Sequence, residues 1–376
     1  MGWSAMKIAL TGGGTGGHIY PALSIAEALK IRSPDVEIVY VGGRCALESR
    51  LVPEEGIPFY GITARGIRRR SIYETVLSGV SLTRGLIEAH LLVSRLKPDV
   101  VVGTGGYVAA ALVWAAAQRK IPTLIHEQNT VAGRANRFLG KRVNRVCLTF
   151  AEAESAFPVG KTVLTGLPIR SIIQPGPVEE SRARLGLPEG FTVAVFGGSQ
   201  GARALNNVLV EAAPDLTALG INLLHQVGER DYHGVAGKAD RAGDRYRVVP
   251  FLKSAEMADA YRVANLAIGR SGAATLSELA NAGVPAILVP FPYATDDHQT
   301  RNALVFEKNG AAVLCRQSDL NRGWLVKEIV RLQRDEATRN RMAAAIKGLA
   351  RPQAADEIAE MVLRMGENRQ NERVPN

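Results

Sequence analysis

Three glycine-rich or small-residue segments are the parts of the sequence best suited to chemistry, because each lies between a predicted strand and a predicted helix. They are residues 12–17, 197–202 and 269–278. Backbone amides at the start of a helix bind phosphate groups well when no side chains shield them. The sequence therefore predicts binding sites for an anionic, phosphate-bearing ligand where these strands end.

Residues 12–17 read Gly-Gly-Gly-Thr-Gly-Gly and formally fit the G-x-G-x-x-G pattern of dinucleotide-binding loops. That interpretation also needs an acidic residue at the end of the next strand, where the sequence has Tyr-Val-Gly-Gly-Arg. No Gly-Lys-Ser/Thr follows, which excludes a P-loop nucleotidase. A tight turn that needs glycine only for its backbone is the alternative to a ligand loop.

His18 directly follows this loop, at the predicted start of a helix. A neutral imidazole can take a proton from a hydroxyl group near pH 7, so His18 is the candidate general base. The alternative is a histidine that only caps the helix or lies on the surface.

The second half of the chain contributes polar candidates at equivalent places. Ser199 can donate a hydrogen bond to a diphosphate from the start of a helix. Glu278 follows the small residues after Arg270 and could hold both ribose hydroxyls, or it could be an ordinary solvated carboxylate. Residues 296–298, Asp-Asp-His, suit sugar hydroxyls and, less well, a metal ion.

Short apolar strands alternate with helical patterns along the chain, which is typical of parallel sheets covered on both faces. Residues 7–11 and 192–196 read as strands, and 21–31 as a helix. Residues 71–95 read as a helix interrupted near Gly79, and 318–365 as helical, followed by a polar, frayed tail. A Pro- and Gly-rich stretch at 157–177 separates two similar halves. We predict an α/β fold of two Rossmann-like doubly wound domains facing across a cleft: 1–165, 166–350, and a helix in 351–376 that could return to the first domain.

The 376 residues suffice for about two domains, and their net charge of +10 is concentrated in one region. Residues 61–145 hold 14 Lys or Arg and 4 Asp or Glu, so the rest of the chain is neutral. An anionic partner is therefore predicted for the N-terminal half. The uncharged residues 100–118 could suggest a membrane span, but the glycines at 103, 105 and 106 favour a strand, a turn and a helix.

Seven ordered motifs resemble glycosyltransferase family 28, and the resemblance covers essentially the whole chain. Within that family the chain is similar to the enzymes that transfer N-acetylglucosamine from UDP-GlcNAc to the lipid-linked muramoyl pentapeptide called lipid I. The motifs are residues 13–18, 105–107, 126–129, 165–170, 197–202, 270–278 and 298–302. The family has the two-domain glycosyltransferase B fold, which agrees with the two halves.

The resemblance implies a role for each matching residue. His18 would be the general base, Arg170 and Ser199 would meet the donor diphosphate, Leu252 would lie near uracil, Glu278 would bind ribose, and Gln299 would hold the sugar. The other implied donor contacts are Thr15, Gly16, Gly17, Asn129, Ala273, Ala274, Thr275, Leu276 and Ser277. The reaction would be a direct displacement with inversion, giving a β1→4 bond and lipid II without a metal or other cofactor.

A lipid-linked acceptor also suggests a partner for the basic region. Arg68, Arg69 and Arg70 precede an apolar helical pattern, and Lys141 adds charge later. With Tyr107, these residues would form an acceptor and membrane side that binds an anionic bilayer from the cytoplasm. The alternative is an ordinary amphipathic helix packed on its own sheet. Proteins of cell-wall synthesis are further candidate partners.

Two other classes of function remain open at this point. A UDP-GlcNAc 2-epimerase would share the architecture and the nucleotide sugar, but it would have no need of a basic apolar face. A nucleic-acid-binding protein would explain the charge, but aromatic residues do not alternate with the basic residues and no RNA-binding motif is found, so we predict no nucleic-acid partner.

Overall fold

The computed structural model describes residues 5–63, 72–198, 201–239 and 243–373. Arg68, Arg69, Arg70 and Ser199 lie outside the described residues. The chain divides into two compact units. Unit 1 comprises Met1–Arg170 with Pro352–Asn376, and unit 2 comprises Ser171–Arg351.

The strands are numbered in chain order. They are β1 Lys7–Thr11, β2 Glu37–Gly43, β3 Phe59–Ile62, β4 Val100–Gly103, β5 Thr123–Glu127, β6 Arg145–Leu148, β7 Thr162–Leu164, β8 Thr192–Phe196, β9 Asn222–Gln226, β10 Tyr246–Val249, β11 Leu266–Gly269, β12 Ala286–Leu288 and β13 Ala312–Leu314.

The α-helices are numbered in the same way. They are α1 Gly16–Arg32, α2 Glu48–Glu54, α3 Ile72–Leu96, α4 Gly106–Gln118, α5 Arg134–Gly140, α6 Val178–Arg184, α7 Arg203–Ala218, α8 Tyr232–Ala239, α9 Ser254–Val263, α10 Ala273–Ala282, α11 His298–Lys308, α12 Arg322–Arg334, α13 Glu336–Gly348 and α14 Ala354–Arg373.

Each unit is built on one parallel sheet. The strand order is β3-β2-β1-β4-β5-β6-β7 in unit 1 and β10-β9-β8-β11-β12-β13 in unit 2. The first strand of each sheet lies in its interior, and the order reverses beside it, between β1 and β4 and between β8 and β11. Such a switch point brings loops from both sides together at the carboxyl ends of the strands, where ligands of these sheets bind. The predicted class, α/β with two doubly wound parallel sheets, is confirmed.

Helix α1 begins at Gly16, five residues earlier than the prediction of a start at Pro21. Proline lacks the N–H that would bond the carbonyl of Gly17 one turn earlier. That carbonyl accepts a hydrogen bond of 2.8 Å from the side-chain amide of Gln128 instead. A contact from β5 therefore replaces the missing helical bond and allows Pro21 to lie inside the helix.

Two other predictions about helices were wrong. Helix α3 runs without an interruption at Gly79, and α14 continues to Arg373 where a frayed tail was predicted. The end of α14 is held by ionic contact, because the guanidinium of Arg373 lies 2.7 Å from the buried carboxylate of Asp99. Arg369 also donates to the carbonyl of Lys120 at 2.9 Å.

Helix α14 packs against α1 within unit 1. Its residues Ile358, Ala359 and Val362 are buried in the same apolar cluster as Ile25 and Leu29 of α1. A second cluster covers the other face of this sheet, and a third lies in unit 2. Within the described ranges, no helix is both long enough and apolar enough to cross a lipid bilayer.

Candidate active site

The turn between β1 and α1 is held from beneath by two buried polar side chains. Thr104 Oγ1 donates to the carbonyl oxygens of Thr11, at 3.2 Å, and of His18, at 2.7 Å. Gln128 Nε2 donates to the carbonyls of Gly17 and Thr104, at 2.8 and 3.0 Å. These bonds link the carboxyl ends of β1, β4 and β5, so the glycine loop is fixed at the switch point of the sheet.

The contacts of the His18 ring favour one tautomer. Its Nδ1 atom lies 3.0 Å from the carbonyl oxygen of Gly13 and 3.5 Å from the hydroxyl oxygen of Thr15. A carbonyl oxygen only accepts hydrogen bonds, so Nδ1 carries the proton in the neutral ring. The lone pair then lies on Nε2, and this is the protonation state that a general base needs.

Two glycines after β4 provide space for His18 and its loop. A Cβ at Gly105 would come within 2.6 Å of His18 Cδ2, and one at Gly106 within 2.6 Å of the Gly13 carbonyl oxygen. Both glycines have positive φ angles, 117° and 87°, which side chains disfavour. The motif at residues 105–107 is thus explained by close approach to the loop, while Tyr107 itself is half exposed at the start of α4.

The carboxyl end of β5 carries a buried acid that organises the next loop. The Glu127 carboxylate accepts from the backbone amides of Asn129 and Gly133, each at 3.0 Å, and from Asn136 Nδ2 at 2.8 Å. Because all three donors follow Glu127 in sequence, the carboxylate fixes the path of the loop that presents the half-buried Asn129.

His126, which precedes Glu127, is buried and bonds the protein backbone. Its Nε2 donates to the Gly166 carbonyl at 2.8 Å, while its Nδ1 is buried without a hydrogen-bond partner. Desolvation lowers the pKa of His126 to about 4, so the ring is neutral near pH 7.

The remaining candidates of unit 1 lie at or near the same loop. Thr15 is exposed, and Gly16 and Gly17 are half-buried in the first turn of α1. Arg170 places its guanidinium 4.9 Å from the ring centre of Tyr20, a cation–π contact. A cation is therefore held near α1 on the same unit as His18.

In unit 2, a chain of buried hydrogen bonds lies next to the loop between β8 and α7. His225 accepts from the Tyr246 hydroxyl at Nδ1, at 2.8 Å, and donates from Nε2 to Asn206 Oδ1, at 3.1 Å. Asn206 Nδ2 donates to the carboxylate of Asp231 at 2.9 Å. Burial lowers the pKa of His225 to about 3, so its ring is neutral near pH 7. Because Asn206 belongs to the first turn of α7, the network also fixes that turn.

The start of α10, where the sequence predicts an anion site, has no side-chain cap. Gly272 precedes the helix, and residues 273–277 form its first turns. Uncapped amides with small neighbours leave room for phosphate oxygens.

Glu278 lies on the same helix and is only 8% exposed. Its Oε2 accepts from the Tyr261 hydroxyl at 2.8 Å. The alternative of a solvated surface carboxylate is thus wrong, because the side chain is buried and oriented.

Gln299 and Leu252 are the other donor candidates in unit 2. Gln299 Oε1 accepts from the backbone amide of Phe291 at 2.9 Å, and its carbonyl accepts from Ser271 Oγ at 2.8 Å. The side-chain oxygen of Gln299 therefore faces Phe291, and its side-chain nitrogen faces away from it. The side chain of Leu252 is buried.

Residues 295–298 form a strained turn before α11. Asp296 and Asp297 both have φ of 52°, and His298 Nδ1 lies 2.8 Å from the Thr295 carbonyl. In the part of the chain that the structure describes, no group of three His, Cys, Asp or Glu side chains is arranged to hold a metal ion.

Unit 1 carries an aromatic and basic surface cluster that consists of the half-buried Trp114 and the exposed Phe138 and Arg142. The rings of Trp114 and Phe138 stack with centroids 5.0 Å apart, and the Arg142 guanidinium lies 4.5 and 4.7 Å from them. Phe138 is 51% exposed, and Lys141 is exposed beside it. Helix α3 exposes Ile87 and Leu91, one turn apart.

Sequence reasoning missed three residues that shape the loop around His18. Glu48, Thr104 and Gln128 are all buried polar side chains that bond backbone groups of the loop or its helix. Gln128 lies inside a motif that was noticed, between Glu127 and Asn129, so a signal existed there. Glu48 and Thr104 carry no local signal for the loop, because the loop groups that they bond, at Gly14 for Glu48 and at Thr11 and His18 for Thr104, are distant in sequence.

Models of known families match most of the chain. The glycosyltransferase family 28 N-terminal domain matches residues 8–148, and the family 28 C-terminal domain matches residues 192–358. The chain belongs to glycosyltransferase family 28. This family 28 protein also has close curated relatives. Proteins of Halalkalibacterium halodurans and Desulforudis audaxviator are each 40% identical to it, over 95% of this chain and 99% and 98% of their own.

Both relatives are named UDP-N-acetylglucosamine–N-acetylmuramyl-(pentapeptide) pyrophosphoryl-undecaprenol N-acetylglucosamine transferase. Among solved structures, MurG of Acinetobacter baumannii superimposes with a TM-score of 0.76 at 32% identity, covering 96% of this family 28 chain and 99% of that one. A putative UDP-N-acetylglucosamine 2-epimerase of Listeria monocytogenes reaches 0.71 at 15% identity, covering 97% of each chain. At that identity the epimerase likeness reflects the fold alone.

Proposed function

We propose that this protein is an inverting N-acetylglucosaminyltransferase that moves GlcNAc from UDP-GlcNAc to the muramoyl 4-hydroxyl of lipid I, giving lipid II. The main support is the 40% identity to transferases of that name over 95% of the chain. The contact of His18 Nδ1 with the Gly13 carbonyl adds an independent chemical argument, because it favours a basic lone pair on Nε2 next to the glycine loop. The 2-epimerase alternative is supported only by the shared fold.

In this proposal, residues 166–350 bind the donor. The amides at the start of α10, with Ser199 and Arg170, meet the diphosphate, and Glu278 binds the ribose hydroxyls. Uracil lies against the backbone at Leu252, and Gln299 offers its amide nitrogen to the sugar. The burial of Glu278 and its bond to Tyr261 support a preorganised ribose contact.

Residues 1–165 supply the acceptor side and the base. Nε2 of His18 takes the proton of the muramoyl hydroxyl as its oxygen attacks the anomeric carbon of GlcNAc, and UDP departs from the opposite face. Negative charge grows on the departing diphosphate during this step. The N-terminus of α10 and Arg170 would stabilise that charge, while Thr15, Gly16, Gly17 and Asn129 complete the site at the glycine loop.

The protein also acts, in this proposal, as a peripheral enzyme at the cytoplasmic face of the membrane. The cluster of Trp114, Phe138 and Arg142, with Lys141 and Tyr107 on the same unit, offers apolar side chains and cations to a bilayer. Arg68, Arg69 and Arg70, earlier in the sequence, add further charge. Other proteins of cell-wall synthesis are proposed as partners on the family resemblance alone.

One assay tests the function against its alternative. The full chain is incubated with UDP-GlcNAc and a lipid I analogue. The lipid product is identified by its mass, and the nucleotide sugars, whose epimers have equal mass, are distinguished by NMR. We expect a disaccharide-lipid and free UDP in equal amounts, with no reaction in the absence of the acceptor. Epimerised nucleotide sugar formed without the acceptor, and no lipid product, would instead establish the epimerase.

A further inference from the structure

Glu48 is a fully buried carboxylate that bonds the end of β2 and the glycine loop of unit 1. Its relative exposure is 0%. Its Oε1 accepts from the backbone amide of Gly43 at 2.8 Å, and its Oε2 accepts from that of Gly14 at 3.1 Å. Gly43 is the last residue of β2 and Gly14 belongs to the loop before His18, so one side chain fixes both. Neither the site proposed above nor the family resemblance gives Glu48 a role.

The amide held by Glu48 and the carbonyl held by His18 belong to the same peptide unit. The N–H of Gly14 points to Glu48, and the C=O of Gly13 accepts from His18 Nδ1 at 3.0 Å. In a trans peptide these two groups point in opposite directions. Holding the N–H toward Glu48 therefore aims the C=O toward the imidazole ring.

The surrounding glycines leave room for this carboxylate. A Cβ at Gly13 would overlap the Glu48 carboxylate, and a Cβ at Gly42 would overlap its side-chain methylene. The second strand and the glycine loop thus approach each other across the Glu48 side chain, which occupies the space that their own side chains would need. The carboxylate has no freedom to turn away from Gly14.

We propose that Glu48 is a positioning residue for the base, which orients the Gly13–Gly14 peptide and thereby keeps the proton of His18 on Nδ1. The expected loss of activity rests on the proposed function, whereas the expected effect on the tautomer of His18 does not. A charged acceptor makes a stronger and shorter hydrogen bond than a neutral one. Without it the peptide could turn, the carbonyl would leave Nδ1, and the proton could move to Nε2, where it would block the base.

The direct test is the tautomer of His18 in the free, full-length protein. Histidine labelled with ¹⁵N reports protonation of each ring nitrogen, and His18→Ala identifies the signals of His18. We expect Nδ1–H in the wild type and a mixture of both tautomers in Glu48→Gln, whose side chain can accept from only one of the two amides. We also expect kcat of Glu48→Gln to fall roughly tenfold, with KM for UDP-GlcNAc unchanged. This loss is smaller than the ~10²–10⁴-fold rate contribution of a positioned base, because His18 itself is still present.

Tyr40→Phe is the matched control, because Tyr40 is also buried and donates to the carbonyl of Gly12, one peptide earlier, at 2.7 Å. It should lower the melting temperature and leave the tautomer of His18 unchanged. Glu48→Asp keeps the charge on a shorter side chain and serves if Glu48→Gln does not fold.

Two outcomes would overturn the inference: a wild-type His18 protonated on Nε2, or a folded Glu48 variant with the wild-type tautomer and kcat. A wild-type protein that transfers no GlcNAc would instead refute the proposed function, while the tautomer measurement would still decide the role of Glu48.

Discussion

The hydroxyl of Tyr261 on α9 donates a hydrogen bond of 2.8 Å to Oε2 of Glu278 on α10. Both side chains are buried, so the bond fixes the Glu278 carboxylate before any ligand arrives. A preorganised carboxylate loses less entropy on binding ribose hydroxyls than a mobile one. The neighbouring helix is therefore part of the proposed ribose contact.

Tyr261→Phe should weaken UDP binding by roughly 3- to 10-fold, because the Glu278 carboxylate loses the hydrogen bond that orients it and UDP binding must then supply about 1 kcal/mol to order it. Calorimetric titration with UDP measures this directly. Ser181→Ala is the control, since it removes a buried hydroxyl of unit 2 that bonds Asp259 and not Glu278. Equal UDP affinity in Tyr261→Phe and the wild type would show that Glu278 does not depend on Tyr261.

His18→Ala should reduce turnover by about 10²- to 10⁴-fold, because a positioned base contributes that much. The dissociation constant of UDP-GlcNAc should stay within about twofold, since the ring acts on the acceptor hydroxyl in this mechanism. His90→Ala is a suitable comparison, because His90 Nδ1 also bonds a backbone carbonyl, that of Leu86, at 3.1 Å. Near-normal turnover in His18→Ala would remove His18 from the role of base.

Stability should fall on mild acidification because of two buried histidines. The pKa values of His126 and His225 lie at about 4 and about 3, below the ordinary value of 6.5. Between these values and 6.5 the unfolded chain binds protons that the folded chain does not, so the free energy of unfolding decreases as the pH falls below 6.5. Each ring should cost about 2 kcal/mol at pH 5, at ~1.4 kcal/mol per pKa unit.

Melting temperatures at pH 7.5 and 5.0 check this prediction. His126→Asn should lose part of the difference between the two temperatures, although it is less stable at both. The exposed His233 provides the control, since His233→Asn should keep the whole wild-type difference. If the His126 variant shows the same acid sensitivity as the wild type, its titration does not contribute.

The basic region should bind anionic vesicles. Replacing Arg68, Arg69 and Arg70 by Ala should weaken partitioning on the order of 100-fold at low salt, because each cation near an anionic surface contributes about 1 kcal/mol. Phe138→Asp should also weaken it, since a charge replaces an exposed apolar ring. Co-sedimentation with phosphatidylglycerol and with phosphatidylcholine vesicles measures both changes.

Leu219→Asp is the control for that experiment, because Leu219 is a similarly exposed apolar residue of unit 2. It should bind vesicles like the wild type. Vesicle binding that is insensitive to salt and to both sets of substitutions would refute a membrane face on unit 1.

The parallel sheets could be predicted from sequence because buried strands need continuous apolar runs. Strand β1 at Lys7–Thr11 and strand β8 at Thr192–Phe196 have the predicted bounds. Glycine loops at their ends also follow from local sequence. Short elements with weaker patterns were not predicted, such as β3 at Phe59–Ile62 and α2 at Glu48–Glu54.

Features that depend on distant partners could not be predicted. The early start of α1 requires Gln128 to bond Gly17, and the ordered end of α14 requires Asp99 to meet Arg373. The buried acid near β2 is a further case. The dinucleotide-binding pattern requires an acid at the end of β2. Glu48 instead lies at the start of α2 and bonds backbone amides, so the pattern does not predict it.

The return of α14 to unit 1 has a consequence for the order of events during synthesis. Unit 2 is one continuous stretch, so all of it is made before α14 emerges from the ribosome. Unit 1 needs Ile358 and Val362 to cover Ile25 and Leu29. An apolar surface of α1 therefore stays uncovered by α14 until the second half of the chain has been translated, so unit 1 can complete its fold only at the end of synthesis.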